Sequence, residues 1–245
     1  GGKYSTASGA SAGIEGIVGH MWYFRWFDSA GRPLDSKFRI QDETGRDIRD
    51  IRAFEYEQKW FGVGTNAGSV GARPVLVEFD SNTAREMQYA DPGSSDKNWT
   101  PLLVDNTIWL FTNSTPEHII FQPLDIERAK AGTPRLVNWT PPDCRHWRGG
   151  TNWVPWDPGT YLGILHVAEY LPLERRVYRS IFVEVDWANQ TARTSQLVCF
   201  DSKHAPIQFV TALRVDQGLV EVCYGRNDRQ ALCQFYLQAD IRKLF

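Results

Sequence analysis

Apolar and polar positions alternate with a period of two through most of this chain, in short runs rich in Val, Ile, Tyr, Phe and Trp that end in turns of Gly, Asp, Asn and Gln. No long stripe of helical period interrupts them. Runs at 51–56, 60–65, 74–79 and 86–89 predict one antiparallel meander of four strands. A second is predicted over 102–104, 108–112, 119–123 and 135–138. A third covers 161–170, 178–186 and 193–200, and a fourth covers 208–215, 219–224 and 230–236, hinged on Asp216-Gln217-Gly218 and on Asn227-Asp228. A less regular opening meander over 17–40 adds a fifth. Five units of roughly 40 residues suit radial repetition, where each small sheet buries its faces against its neighbours and no long edge stays open. The expected architecture is therefore all-β, a five-bladed β-propeller of four-stranded antiparallel blades; a β-sandwich is the rival, since it too uses short strands and tight turns. An internal echo favours repetition: Asn98-Trp99-Thr100-Pro101 and Asn152-Trp153-Val154-Pro155 each introduce a meander. The plainer reading of the echo is Trp and Pro packing beneath a turn.

Composition narrows the class. The 245 residues are 42% hydrophobic, enough for one large core, and the Gly/Ser/Ala-rich segment 1–13 reads as a flexible lead before a single domain over 14–245. Net charge is −2 and the cations are scattered, which argues against a nucleic-acid partner. No apolar run approaches the roughly 20 residues of a membrane-spanning helix. Oligomeric state is left open.

Cys144, Cys199, Cys223 and Cys233 lack metal-ribbon spacing, so no metal or other cofactor is expected. A hairpin turning near Asp228 would set Cys223 opposite Cys233, as a disulfide or as two buried thiols. Four Asn-x-Ser/Thr sequons start at Asn98, Asn113, Asn138 and Asn189; in the first three a Pro follows the hydroxyl residue and stiffens the acceptor segment, which leaves Asn189 as the candidate. The Asn189 sequon makes the secretory pathway or the cell exterior the expected location, with the cytoplasm as the alternative.

The polar residues of interest stand where meanders begin: Asp50 and Arg52 at the first, Lys97 and Asn98 at the second, Arg148, Gly149, Gly150 and Thr151 at the third, with Asn227 and Asp228 in a hairpin of the last. In a propeller such positions converge on the axis. Each also has a plain reading: a surface ion pair for Asp50 and Arg52, positive-φ glycines after Arg148, a core histidine at His166, a hairpin turn at Asp228.

In order along the chain, Asp50-x-Arg52-x-Phe54, Lys97-Asn98-Trp99-x-Pro101, Trp147-Arg148-Gly149-Gly150-Thr151, Tyr161-Leu162-Gly163 leading to His166, Arg176-x-Tyr178-Arg179 and Tyr224-Gly225-Arg226-Asn227-Asp228 resemble the five-bladed propeller family of mannoside phosphorylases, β-mannosyltransferases and related glycosidases. The resemblance implies a sugar pocket on the axis, with Asp50 as the acid or base at a β-glycosidic bond and Asp228 as a second carboxylate. It implies an anion clamp of Arg52, Arg148, His166 and Arg179 for phosphate or a nucleotide sugar as co-substrate. Lys97, Asn98, Gly149, Gly150, Thr151 and Asn227 would line the same pocket. Two departures stand out. Arg49 replaces an acidic neighbour of Asp50, and Ile51 replaces a proline. If catalysis has been lost with them, a glycan- or protein-binding propeller is the alternative; a furanosidase-type hydrolase would need a third carboxylate, with Glu169 and Asp201 the nearest choices.

Overall fold

The computed structural model describes residues 40, 48–68, 71–89, 98–143, 145–171, 175–200, 207–227 and 230–245. The first meander is β1 (Ile48–Tyr56), β2 (Lys59–Gly68), β3 (Gly71–Glu78) and β4 (Thr83–Glu86), antiparallel in sequence order. The second comprises β5 (Thr100–Val104), β6 (Thr107–Ser114), β7 (His118–Asp125) and β9 (Arg135–Trp139), with the two-residue β8 (Lys130–Ala131) paired to β7. Short strands β10 (Arg148–Gly149) and β11 (Val154–Asp157) both pair with β12 (Thr160–Leu171), followed by β13 (Arg175–Asp186) and β14 (Thr191–Thr194). The last meander is β15 (Gln208–Asp216), β16 (Leu219–Arg226) and β17 (Gln230–Leu237), leading into a single turn of helix, α1 (Gln238–Arg242).

Four of the expected meanders are thus present, and of the opening one only Ile40 falls among the described residues. Three details depart from the sequence reading. The second and third meanders merge into one ten-stranded sheet, because β14 pairs in parallel with β9 through Thr191↔Asn138 and Ala192↔Trp139. β14 stops at Thr194 and does not run on to Phe200; beyond it only Val198 bridges back to Ser180. β10 and β11 were not expected, since a strand that contains Gly149 carries no alternation to read.

The alternation does set which face meets which neighbour. On β12, Leu165 and Val167 enter a core with Phe111, Phe121, Val137 and Val183, between the second and third meanders. Leu162 and Ile164 point the other way, into a core with Val210, Val222 and Tyr224 of the last meander. Phe54, Phe61, Leu76, Leu110 and Leu124 fill the space between the first and second. The free face of the first covers Ile40 with Ile48, Val75 and Val77. Consecutive meanders therefore stack face to face, each fully buried Leu, Ile or Phe contributing about 1.5–3 kcal/mol of transfer free energy. Trp99 and Trp153 of the internal echo are both buried, and Trp153 donates from its backbone N to Pro101 O (3.0 Å) and from Nε1 to Thr100 Oγ1 (3.1 Å). The two repeats touch.

Candidate active site at the first strands of the meanders

Face-to-face stacking brings together the leading ends of β1, β5, β10 and β15. Arg52 of β1 is 5% exposed and donates from Nε to Gly150 O at 2.9 Å, across 98 residues of sequence. Its guanidinium lies 5.4 Å from the ring centroid of Phe209 at the start of β15. Gly149 packs against β5: a Cβ there would lie 2.2 Å from Asn98 O and 2.7 Å from Thr100 Cγ2. A Cβ on Gly150 would lie 2.4 Å from Val210 Cγ2. Neither glycine has positive φ, so what they supply is close approach to the neighbouring strands and not a left-handed turn. The turn reading of this pair is set aside.

Asp50 stands in a β-bulge. Register on β2 jumps between Arg49 and Arg52, so Asp50 and Ile51 together oppose one residue, and Asp50 takes a left-handed φ of 54°. Bulges re-aim side chains, and Asp tolerates this conformation better than most residues. The Asp50 backbone O accepts from Arg52 Nη1 at 3.3 Å. Asn98 (φ 75°) and Asn227 (φ 53°) are left-handed as well, so three of the candidate positions hold an uncommon backbone conformation. Asn227 N donates to Ile207 O at 2.9 Å, which fixes it beside the entry to β15, near Phe209.

His166 on β12 is opposite Arg148 in register and is 2% exposed. Its ring sits 4.9 Å from Phe209 and 5.6 Å from Tyr178, centroid to centroid. Burial, then the charges of Arg52 and Arg148, push its pKa down to about 3, against a smaller opposing hydrogen bond with the Gly149 backbone. His166 is therefore neutral at neutral pH, and the expected cationic clamp reduces to Arg52 and Arg148. Burial also holds the Arg52 pKa below the ordinary arginine value, opposed by the nearby Asp50 carboxylate, yet a guanidinium keeps its proton in proteins. Arg52 Nη2 and His166 Nδ1 are both buried with no hydrogen-bond partner among the described residues. That leaves one unused donor on a fixed charge, next to a neutral imidazole.

The remaining candidates divide. Thr151 Oγ1 accepts from Ile164 N at 3.0 Å, a fold contact beneath the cluster. Arg148 is exposed at its rim. Arg179 is outside the cluster: it pairs with Val167, on the opposite face of the sheet from His166 and Ser180, and its Nε donates to Glu169 Oε2 at 2.7 Å. Glu169 also pairs with Arg145, so it is engaged away from Asp50. Lys97, Asp201 and Asp228 lie outside the described residues. The sequence reading missed Phe209 and Tyr178; both follow from placing the next residue of the alternation on the face opposite Val210 and Arg179.

An open groove of about 460 Å³ lies elsewhere, lined among others by Leu103, Pro155, Trp156, Asp157 and Tyr161. Leu103 is at the trailing end of β5, so this groove opens at the other end of the strands from Arg52. Its acid, Asp157, accepts two 2.7 Å hydrogen bonds from Arg242, and we place the candidate chemistry at the Arg52 junction instead.

No protein-family model matches the chain, and no curated protein sequence does. Solved structures do match. A β-1,2-mannobiose phosphorylase from Listeria innocua, in complex with β-1,2-mannobiose, aligns with a TM-score of 0.67 at 12% identity, covering 91% of this chain and 69% of that one. The chain shares the fold of that phosphorylase. MPT-4, a mannose phosphorylase from Leishmania mexicana in complex with phosphate, aligns with a TM-score of 0.60 at 13% identity, over 86% of this chain and 73% of that one. A structure from work on glycoside hydrolases of the mannoside phosphorylase family GH130 that target β-1,2-mannosidic linkages in Candida mannan gives 0.61 at 11%, over 89% and 75%.

Proposed function

We propose that this chain is a carbohydrate-active enzyme of a five-bladed propeller that cleaves a β-mannoside-like bond at the Arg52 junction, by phosphorolysis or hydrolysis. The observation that carries the reading is the buried Arg52 guanidinium, which has an unused Nη2 donor and stands two residues from a carboxylate on a bulge. Asp50 serves as the acid or base at the glycosidic oxygen, and Asp228 as a second carboxylate. Arg52 and Arg148 hold the anion that attacks the anomeric carbon in phosphorolysis, a planar guanidinium suiting phosphate geometry. His166 is a neutral partner that positions Arg52 against Phe209. Asn98, Gly149, Gly150 and Asn227 form the wall, with Thr151 beneath it and Lys97 as a further candidate from the sequence alone. A nucleotide sugar as donor in a transfer reaction is the variant that would use the same two arginines.

The second reading is glycan binding without turnover, favoured by Arg49 beside Asp50, a cation where the resembled family carries an acidic residue. Incubation with β-1,2-mannobiose and phosphate separates the readings. Release of mannose 1-phosphate supports phosphorolysis, release of free mannose supports hydrolysis, and Asp50→Asn should lower either rate by roughly 10²–10⁴-fold. Absence of turnover with these substrates and with GDP-mannose plus an acceptor, alongside retained glycan binding, would leave the non-catalytic reading.

A further inference from the structure

Of the four sequons only that of Asn98 touches the chemistry above, and the fold sorts them all. Asn98 is 7% exposed, and its backbone carbonyl is closed over by Gly149. Asn113 is partly buried in β6, with Oδ1 accepting from Ser114 N at 2.7 Å. Asn138 is exposed but lies within β9, paired to Thr191, and its backbone N donates to Gln190 O at 2.8 Å. Asn189 alone of the four occupies an exposed turn, between β13 and β14, and Thr191 of its sequon is exposed and followed by Ala192. Asp186 braces the turn: its Oδ1 accepts from Asn189 N at 3.0 Å and its Oδ2 from Asn189 Nδ2 at 2.8 Å. An amide linked to a sugar keeps one N–H, so Nδ2 retains a donor after modification.

A second feature points to the same compartment. Cys223 and Cys233 are directly opposite in the β16–β17 ladder and are joined by a disulfide, with Cys233 exposed. Structural disulfides persist in oxidising compartments, where the lipid-linked oligosaccharide donor is also used.

We propose that Asn189 is an N-glycosylation site and that the domain matures in the oxidising secretory pathway. In the modification step Asn189 Nδ2 bonds to the anomeric carbon of the oligosaccharide, the bond from that carbon to the lipid pyrophosphate breaks, and the amide gives up one proton. The attached glycan projects from the turn that joins β13 to β14, away from the Arg52 junction.

The test is to route the full chain through the secretory pathway of cultured eukaryotic cells behind a secretion leader and to map its peptides by mass spectrometry without reduction. The expected result is a glycan at Asn189, removed by peptide N-glycosidase with conversion of Asn189 to Asp, together with a linked Cys223–Cys233 peptide. Asn189→Gln and Thr191→Ala should each abolish the mobility shift. An unmodified Asn189 peptide, or a glycan carried mainly by Asn98, Asn113 or Asn138, overturns the proposal. Site mapping on the unsubstituted chain decides the matter even if a variant fails to fold.

Discussion

Charges at the leading ends of the first strands and charges along the outer strands are handled in opposite ways. Outside, several arginines are matched with carboxylates: Arg242 with Asp157, Arg193 with Glu184 at 2.8 Å, Arg179 with Glu169. Aromatic faces support two of them, Trp156 under Arg242 at 4.6 Å and Phe245 under Arg193 at 5.0 Å. At the junction, Arg52 is buried and bonded to backbone carbonyls, with one donor unused, and a neutral histidine is held beside it. Removing a charge from water costs several kcal/mol unless it is well paired, so the outer arrangement is what stability alone favours. A buried guanidinium with spare donor capacity is better explained by a ligand that arrives later, and this is why the junction, and not the groove by Asp157, carries the functional reading.

That contrast can be broken in several places. The largest effect is expected at Gly149→Ala, where the new methyl meets the Asn98 carbonyl and Thr100; chemical denaturation should show a loss of about 3 kcal/mol, the upper range for overpacking. Next is acidification from about pH 7 to about pH 5, worth about 2 kcal/mol from His166. The folded His166 pKa of about 3 lies below its ordinary 6.5, so between those values the unfolded chain binds a proton that the folded chain excludes. Stability should therefore be fully present above pH 6.5 and fall with pH by up to about 1.4 kcal/mol per unit from this group, a slope that His166→Gln removes.

Arg52→Met sharpens the comparison further. It removes a buried charge while filling similar volume, so stability should change by less than about 1.5 kcal/mol in either direction, while turnover or anion binding is lost. A change of 3 kcal/mol or more with function retained would make Arg52 a purely structural residue. The smallest effect belongs to the outer surface: Arg242→Ala should cost no more than about 1 kcal/mol, and less at high salt, because both partners of its pair are substantially hydrated.

Legibility of the sequence followed the same division. β12 was readable to within a residue at each end, and β13 to within three at its start and none at its end. The Asp216-Gln217-Gly218 hinge was readable from its turn chemistry, and Gln217 and Gly218 both take positive φ. β10 was hidden by its glycine, and α1 by its single turn. At the site, Arg52, Gly149, Gly150 and His166 could be named from their places at the starts of meanders or from the resemblance, but two properties could not. The neutrality of His166 depends on burial by Phe209 and on the charge of Arg52, both distant in sequence. The bulge that turns Asp50 out of register depends on pairing with β2, which residue identity alone does not encode. Arg179 was misplaced for a simpler reason: adjacent strand residues face opposite ways, and it cannot share a pocket with His166 while Ser180 lies across from that histidine.

The most direct test is a crystal structure of the protein soaked with β-1,2-mannobiose and phosphate. The account predicts a sugar ring within hydrogen-bonding reach of Asp50 and an anion against Arg52 Nη2. Sugar density confined to the groove by Asp157, with Asp50 turned away and Arg52 contacting only protein, would contradict it.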